Sequence, residues 1–317
     1  MLFLNESEVR ELLPMDKALA LVEACFLHLA AGEGINHPRR RLHLGASATL
    51  HYMAAADTAA GYLGAKIYAT HPQAGSHFLV LLYAVDGRPL ACLEANALGQ
   101  IRTGAATGVA TRRLARAEAA IVGLIGSGFQ ARTQLEAVAR VRRLSQVRVF
   151  SRSPHRRRQF VEEMSASLGL PCVAVDSAEM AIRGCDIAVT ATTARQPVLL
   201  GEWLSPGTHI NAVGSNHALR RELDAAAVGR ASLIVADSIE QARIEAGDLI
   251  SGFEQMAGRW DEVIELADLL GGKAEGRQTP EQITLFKSNG VALEDIAVAG
   301  YIYEQAVIQS RGQLVEG

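Results

Sequence analysis

Apolar and polar positions along the chain fall into distinct textures. Residues 5–31 read as helical: Asn5 or Ser7 can cap a first short helix, and "MDKALALVEACFLHLAAGEG", after Pro14, gives a longer amphipathic one closed by Gly32 or Gly34. From about residue 38 to residue 94 the pattern gives way to short β-like pieces: "RRLHL", "TLHYMAA", "YLGAKIYAT", "HFLVLLYAV" and "PLACLEA". Asp-Gly in "VDGRP", between two apolar runs, is a hairpin turn. Strands without intervening helices predict an antiparallel or mixed sheet, after which "LGQIRTGAATGVATRRLA" turns helical.

At residue 119 the texture changes again. "AAIVGLI", "QVRVF", "CVAVD", "CDIAVTATT", "HINAVGS" and "SLIVADS" are apolar runs of the buried parallel-sheet kind, separated by helical segments. That alternation predicts an α/β, doubly wound domain. "TLFKSNGVALEDIAVAGYIYEQAVIQ" reads as a long helix after a Gly-containing turn. A C-terminal helix that returns to the first domain makes that domain discontinuous, α+β in class, over 1–116 plus 296–317, with the Rossmann domain at 117–295.

Composition narrows the function classes. The 317 residues are 49% apolar with a net charge of −3, so no global field favours nucleic acid. "HPRRRLH" and "SPHRRR" read as solvated faces. Cys25, Cys92, Cys172 and Cys185 are widely spaced, without CxxC or a His-rich partner motif, and read as reduced thiols with no metal site. "MLFLNESEVRELL" carries acids too early for a signal peptide, and no run approaches the 18 apolar residues of a membrane span. A soluble, cytoplasmic protein is expected.

"GLIGSGFQA" carries Gly126, Gly128 and Ala131 as GxGxxA, after an apolar strand and before a helix. Gly126 allows the tight turn, Gly128 lets backbone approach a pyrophosphate, and Ala131 permits close helix–strand packing. A dinucleotide pyrophosphate at the helix N-terminus follows. NAD sites place an acid at the end of the second strand, whereas here stand Ser151, Arg152 and Ser153. A hydroxyl and a guanidinium suit a 2′-phosphate, so NADP(H) is favoured over NAD(H). Arg152 stacked on adenine in an NAD site is the alternative. The remaining cofactor candidates are Ser127, Gln130, Thr192, Val213 and Ser288, from the same loop, strand ends and the "KSNG" turn.

The chain has 27 arginines and only four lysines, one of them, Lys66, inside the apolar strand "YLGAKIYAT". A charge there needs a partner or a purpose. Arg102 lies in the small-residue segment "QIRTGAATG", and Arg39 and Arg41 share a face of an extended run. Cations converging from separate elements would clamp a carboxylate; surface arginines plus one snorkelling lysine is the plainer reading.

"GAKIYAT", "QIRTGAATGVAT", "GLIGSGFQA", "FSRS", "NAVGSN…RREL" and "TLFKSNGVALED", in this order, resemble the ornithine cyclodeaminase/μ-crystallin family over nearly the whole chain. The resemblance implies a homodimer, a central Rossmann domain, a substrate-binding and dimerisation domain, and work on α-amino or α-imino acids with NAD(H) or NADP(H). It also implies that Arg41, Lys66 and Arg102 hold the substrate carboxylate, although three arginines stand where the family motif has one. Cyclodeaminases of the family have an aspartate where this chain has Asn216. An amide cannot shuttle a proton at neutral pH. The resemblance therefore implies a reductase of small α-imino acids such as iminosuccinate, pyrroline-2-carboxylate or iminopropionate, or the reverse amino-acid dehydrogenase. Lys66 or a water supplies the proton and Asn216 orients the nitrogen; His51 and His217 are alternative acids, and extra cations at Arg39, Arg40 and His51 lean toward a second carboxylate. The alternatives are a cyclodeaminase using another residue and a crystallin-like protein that binds NADPH without turnover.

Overall fold

The computed structural model describes residues 1–45, 47–254 and 259–315. The chain divides into two compact units, Met1–Ala105 with the segment from Gly290 onward, and Ala106–Asn289.

The first unit begins with β1 (Leu2–Leu4), α1 (Glu6–Leu12) and α2 (Met15–Ala31). Asn5 caps α1 in a capping box with Glu8, and Gly32 ends α2 in the left-handed conformation at φ 80°. Strands β2 (Gly34–Asn36), β3 (Arg40–Leu44), β4 (Ala48–Asp57), β5 (Tyr62–His71), β6 (Gly75–Ala84) and β7 (Pro89–Glu94) follow, with Asp86–Gly87 turning β6 into β7. Next comes α3 (Asn96–Leu114), within which the first unit ends at Ala105.

The second unit runs through β8 (Ile121–Ile125), α4 (Phe129–Val141), β9 (Gln146–Phe150), α5 (Pro154–Leu168), β10 (Cys172–Ala174), α6 (Ala178–Ile182), β11 (Ile187–Thr190) and β12 (His209–Ala212). It continues with α7 (Ala225–Arg230), β13 (Leu233–Ala236), α8 (Ile239–Glu245), α9 (Gly247–Phe253), β14 (Val263–Glu265), α10 (Leu266–Leu270) and β15 (Thr284–Lys287). Then α11 (Ala292–Ile308) and β16 (Gln313–Leu314) return to the first unit.

Among the described residues the first unit's sheet has the order β16-β1-β7-β6-β5-β4-β2, with β3 paired to β4. It is mixed: β1 runs parallel to β7 and the other pairs are antiparallel. α11 lies on β4, β5 and β6 and against α2. Eleven of its residues are buried, so its core-facing stripe is wide and its periodicity weak.

The second unit's sheet is wholly parallel, in the order β10-β9-β8-β11-β12-β15-β13-β14. Successive strand residues feed opposite cores. Val122, Leu124, Ile187 and Val189 join one apolar cluster, while Ile125, Ala188, Ile210 and Ala212 join the other. Helices cover both faces, which is the doubly wound Rossmann arrangement.

One expectation is corrected. "TLFK" does not open the C-terminal helix; it is β15, inserted between β12 and β13 and paired with both. Four apolar-rich residues fit strand and helix templates equally, and only the two flanking strands settle them. The helix begins after Gly290, whose φ is 76°. All four cysteines are free.

Candidate functional site

In the first unit, Lys66 sits mid-strand in β5, in register with Met53 on β4 and Val80 on β6. Side chains alternate along a strand, so Tyr62, Gly64, Lys66 and Tyr68 share a face. α11 packs on that face so closely that a Cβ on Gly64 would meet the Ile296 side chain at 2.8 Å, and one on Gly300 the Tyr62 ring at 2.5 Å. The approach brings the first turn of α11 over the lysine. Lys66 Nζ donates to Asp295 Oδ1 at 2.8 Å, and Arg102 Nε donates to the same oxygen at 2.9 Å. Arg102 Nη1 donates to Glu294 Oε2 at 2.7 Å. All four groups are buried.

Small residues make room for these cations. A Cβ on Gly99 would stand 2.8 Å from Lys66 Nζ, and one on Gly290 would fall on the Arg102 guanidinium. Burial lowers Lys66 to a pKa of about 8; Asp295 opposes the shift, while Arg102 and Arg39 reinforce it. A lysine near this value holds its charge at neutral pH and can still part with a proton.

The three consecutive arginines separate. Arg39 is buried and its Nη2 donates to the Gly290 carbonyl at 3.0 Å, Arg40 is exposed, and Arg41 is half-buried opposite His51 in the β3–β4 register. The structure thus joins Lys66 with Arg102 and adds Arg39, while Arg41 stands beside His51. The His51 ring stacks on Tyr68 at 4.3 Å and its Nε2 lies 3.1 Å from Thr70 Oγ1. Burial, then Arg41 and Arg39, lower its pKa to about 4, which favours the neutral imidazole at pH 7.

Glu294 and Asp295 escaped the sequence reading. The available signal was two adjacent acids opening an apolar helix, "VALEDIAVAG", in a chain that also buries a lysine and an arginine.

In the second unit, Gly126 follows β8 with φ 117°, and a Cβ there would fall on the Ala191 carbonyl. Gly128 is the N-cap of α4, makes no side-chain cap, and has nothing within 4 Å of where a Cβ would be. The first amides of a thirteen-residue helix therefore open onto a cradle without side chains, suited to an anion. Ala131 is fully buried against the sheet, and Gln130 is half-buried. Ser127 Oγ donates to Ser151 Oγ at 2.9 Å, which joins the loop to the end of β9. Arg152 is exposed there, and Ser153 caps α5. These groups fit a dinucleotide.

Thr192 lies past the end of β11 with its amide and hydroxyl on Glu222, and Val213 is buried just past β12. Ser288 Oγ donates to Asp237 Oδ2 at 3.1 Å. Asn216 and His217 are exposed on the segment after β12, and Ser215 is buried. Sequence reasoning passed over Glu222, Asp248 and Lys287, three buried charged groups around that segment. Among the described residues no group of three or more His, Cys, Asp or Glu is placed to hold a metal, and no helix is long and apolar enough to cross a membrane.

The sequence pattern of one family, ornithine cyclodeaminase/mu-crystallin, matches residues 1–310. This chain belongs to that family. Among solved structures, a Delta(1)-pyrroline-2-carboxylate reductase of Thermococcus litoralis, in complex with NADH and L-proline, is 37% identical, with a TM-score of 0.95 over 99% of this chain and 100% of that one. An archaeal alanine dehydrogenase dimer with bound NAD is 33% identical, with a TM-score of 0.94 over 100% and 99%. The iminosuccinate reductase of Paracoccus denitrificans, in complex with NAD+, is 31% identical, with a TM-score of 0.93 over 100% and 99%.

Proposed function

We propose that this family member is an NAD(P)H-dependent reductase of small α-imino acids, working in reverse as an amino-acid dehydrogenase. The observation that carries the reading is the buried Lys66–Arg102 pair, held on Asp295 and Glu294, in a chain whose α4 opens onto a glycine cradle. The three solved relatives are named for pyrroline-2-carboxylate, alanine and iminosuccinate, compounds that carry an imine or amine beside a carboxylate.

In this reading Lys66 and Arg102 hold the substrate carboxylate, with Arg39 adding positive charge and Arg41 at the rim. Gly126, Ser127, Gly128, Gln130, Ala131, Ser151, Arg152, Thr192, Val213 and Ser288 hold the dinucleotide. The reduced nicotinamide, when bound, supplies the hydride. The product nitrogen needs an iminium that is already protonated, or one proton delivered during reduction; Lys66, with a pKa of about 8, can give that proton and recover it from water. Asn216 can donate or accept a hydrogen bond at the nitrogen without changing its own charge. Reduction requires only that; a deaminating ring closure needs a proton shuttle that an amide cannot provide.

The expected preference for NADP(H) rests on Ser151 and Arg152, whereas the solved relatives hold NADH, NAD and NAD+. We therefore assign the cofactor as NAD(H) or NADP(H), with Arg152 setting the ratio. A homodimer fits the face of the first unit's sheet turned away from Lys66. Leu42, Leu44, Leu50, Tyr52 and Leu79 stand exposed there in paired register.

The test is nicotinamide oxidation, with NADH and with NADPH, over preformed cyclic imines and over 2-oxoacids supplied with ammonia or methylamine. Turnover of at least one supports the reading. No reduction of any compound with either cofactor overturns it. Ammonia released from ornithine with no change in nicotinamide absorbance would establish the cyclodeaminase instead.

A further inference from the structure

Three charged side chains of the second unit, Glu222, Asp248 and Lys287, are buried, at 0 to 1% exposure. The carboxylate clamp employs none of them, and the dinucleotide set meets them at Thr192, which bonds to Glu222. Burying two carboxylates and an ammonium is unfavourable unless each is satisfied, and their partners share one pattern.

Glu222 Oε1 accepts from the Thr192 amide at 2.7 Å and the Thr192 hydroxyl at 2.7 Å. Its Oε2 accepts from Thr190 Oγ1 at 2.9 Å and the Gly214 amide at 2.8 Å. One carboxylate thus ties the chain leaving β11 to the chain leaving β12. It reaches both because residue 214 is glycine: a Cβ there would fall on Glu222 Oε1 and on the Thr192 backbone.

Lys287, at the end of β15, donates to the Ser215 carbonyl at 2.7 Å and pairs with Asp248 Oδ2 at 2.8 Å. Asp248 Oδ1 accepts the amides of Glu222 and Leu223 at 2.5 and 2.9 Å. A Cβ on the neighbouring Gly247 would fall on the Arg220 carbonyl and stand 2.7 Å from that of Ala218. The three groups therefore fix the segment at Gly214, Ser215, Glu222 and Leu223. The residues left exposed between these anchors begin with Asn216 and His217.

We propose that Glu222 is a positioning residue, braced by the Asp248–Lys287 pair: it locks Thr192 to Gly214 and so sets the aim of Asn216 before any ligand binds. The inference rests on the reading of Asn216 and Thr192 given above, and it assigns a role to the glutamate of "RREL" that neither the clamp nor the cradle requires. Glu222 does not touch the reacting atoms. It removes freedom from residues that do, so that little reorganisation is left for the ligand-bound state.

Glu222→Gln keeps the shape but turns one of the two oxygens into a donor that faces the amide of Thr192 or of Gly214. Thr190→Val removes only one of the four bonds and tests the same link in a milder form. In the protein without dinucleotide, hydrogen exchange at the Thr192 and Gly214 amides should quicken by about tenfold or more in Glu222→Gln, and by a smaller factor in Thr190→Val. With a 4-deuterated reduced dinucleotide and an imine that the wild type reduces, kcat should fall in both variants and its isotope effect should rise, because misaimed hydride transfer becomes rate-limiting. Unchanged exchange at both amides, or a lower kcat with an unchanged isotope effect, would make Glu222 a structural group only and overturn the proposal. Should Glu222→Gln fail to fold, Thr190→Val decides on the same two readings. Exchange needs no substrate, so a wild type that reduces no imine would refute the reductase reading while the amides still decide the role of Glu222.

Discussion

The substitution Asp295→Asn strikes the point where two buried cations share one oxygen. Lys66 Nζ and Arg102 Nε stand 2.8 and 2.9 Å from Asp295 Oδ1, and none of the three residues is more than 6% exposed. With an effective dielectric near 20, each contact represents roughly 6 kcal/mol of gross Coulomb attraction, much of it offset by desolvation. Asparagine preserves volume and its amide oxygen can still accept both hydrogen bonds, but the negative charge shared by Lys66 and Arg102 is lost. The expected loss of folding stability is about 3 to 5 kcal/mol, the range for breaking a buried pair from one side. Lys66 supplies a second, directional signature. Its folded pKa of about 8 lies below the ordinary 10.5, so between these values the unfolded chain binds more protons than the folded one. Wild-type stability from this group therefore rises with pH across that window, by about 3 kcal/mol in all. Asp295 is the influence that holds Lys66 up, so in Asp295→Asn the rise must begin at lower pH. Urea denaturation at a series of pH values from neutral to alkaline reads both quantities. A stability change of under about 1 kcal/mol, with the alkaline rise in its wild-type place, would refute the claim that Asp295 anchors the pair.

Three further outcomes are expected. Asn216→Asp should leave imine reduction measurable and give its rate a new ionisation in the acid range; an unchanged pH–rate profile would place residue 216 away from the reacting nitrogen. His209, fully buried between Thr284 Oγ1 and Asn211 Oδ1, has its pKa lowered to about 3, by burial first. Below the ordinary histidine range the unfolded chain takes up a proton that the folded one refuses, so stability falls as pH drops, by about 2 kcal/mol between pH 7 and pH 5; His209→Gln should flatten this part of the urea-midpoint profile. Leu42→Asp with Leu44→Asp should convert a dimer to monomer in sedimentation velocity, and an unmoved sedimentation coefficient would remove this sheet face from the interface.

Much of the fold was legible because the two sheets write different patterns. The parallel sheet is buried on both faces and reads as continuous apolar runs, as in "IVGLI" and "LIVA", while the hairpin strands of the first unit are broken by polar positions and announced by Asp-Gly. Thr284–Lys287 was misread because a four-residue run carries no period, and its place between β12 and β13 is a fact of topology rather than of local sequence. The helix ends were readable to within two residues, Asn5 or Ser7 and Gly32 or Gly34, because capping is local chemistry, and the structure selects Asn5 and Gly32.

The site divides along the same line. The turn at Gly126, the helix start at Gly128 and the buried Ala131 were legible because a GxGxxA turn is local and has its own spacing. Lys66 and Arg102 stood out as charges in apolar or small-residue surroundings, but their partners Glu294 and Asp295 lie about 190 to 230 residues further on, and no local pattern joins them. Every buried charge does, however, pose the question of its counter-charge. A chain with four lysines and two of them fully buried, Lys66 and Lys287, must bury acids to match. Asp295 answers Lys66 and Asp248 answers Lys287, and Glu222 lies beside the second pair through its backbone amide on Asp248. Charge accounting of this kind predicts that such acids exist and leaves their positions to the fold. It also gives the reason the glutamate of "RREL" became the tie between two strand ends: Thr190, Thr192 and Gly214 turn four donors toward one point, where the two oxygens of one carboxyl group accept them.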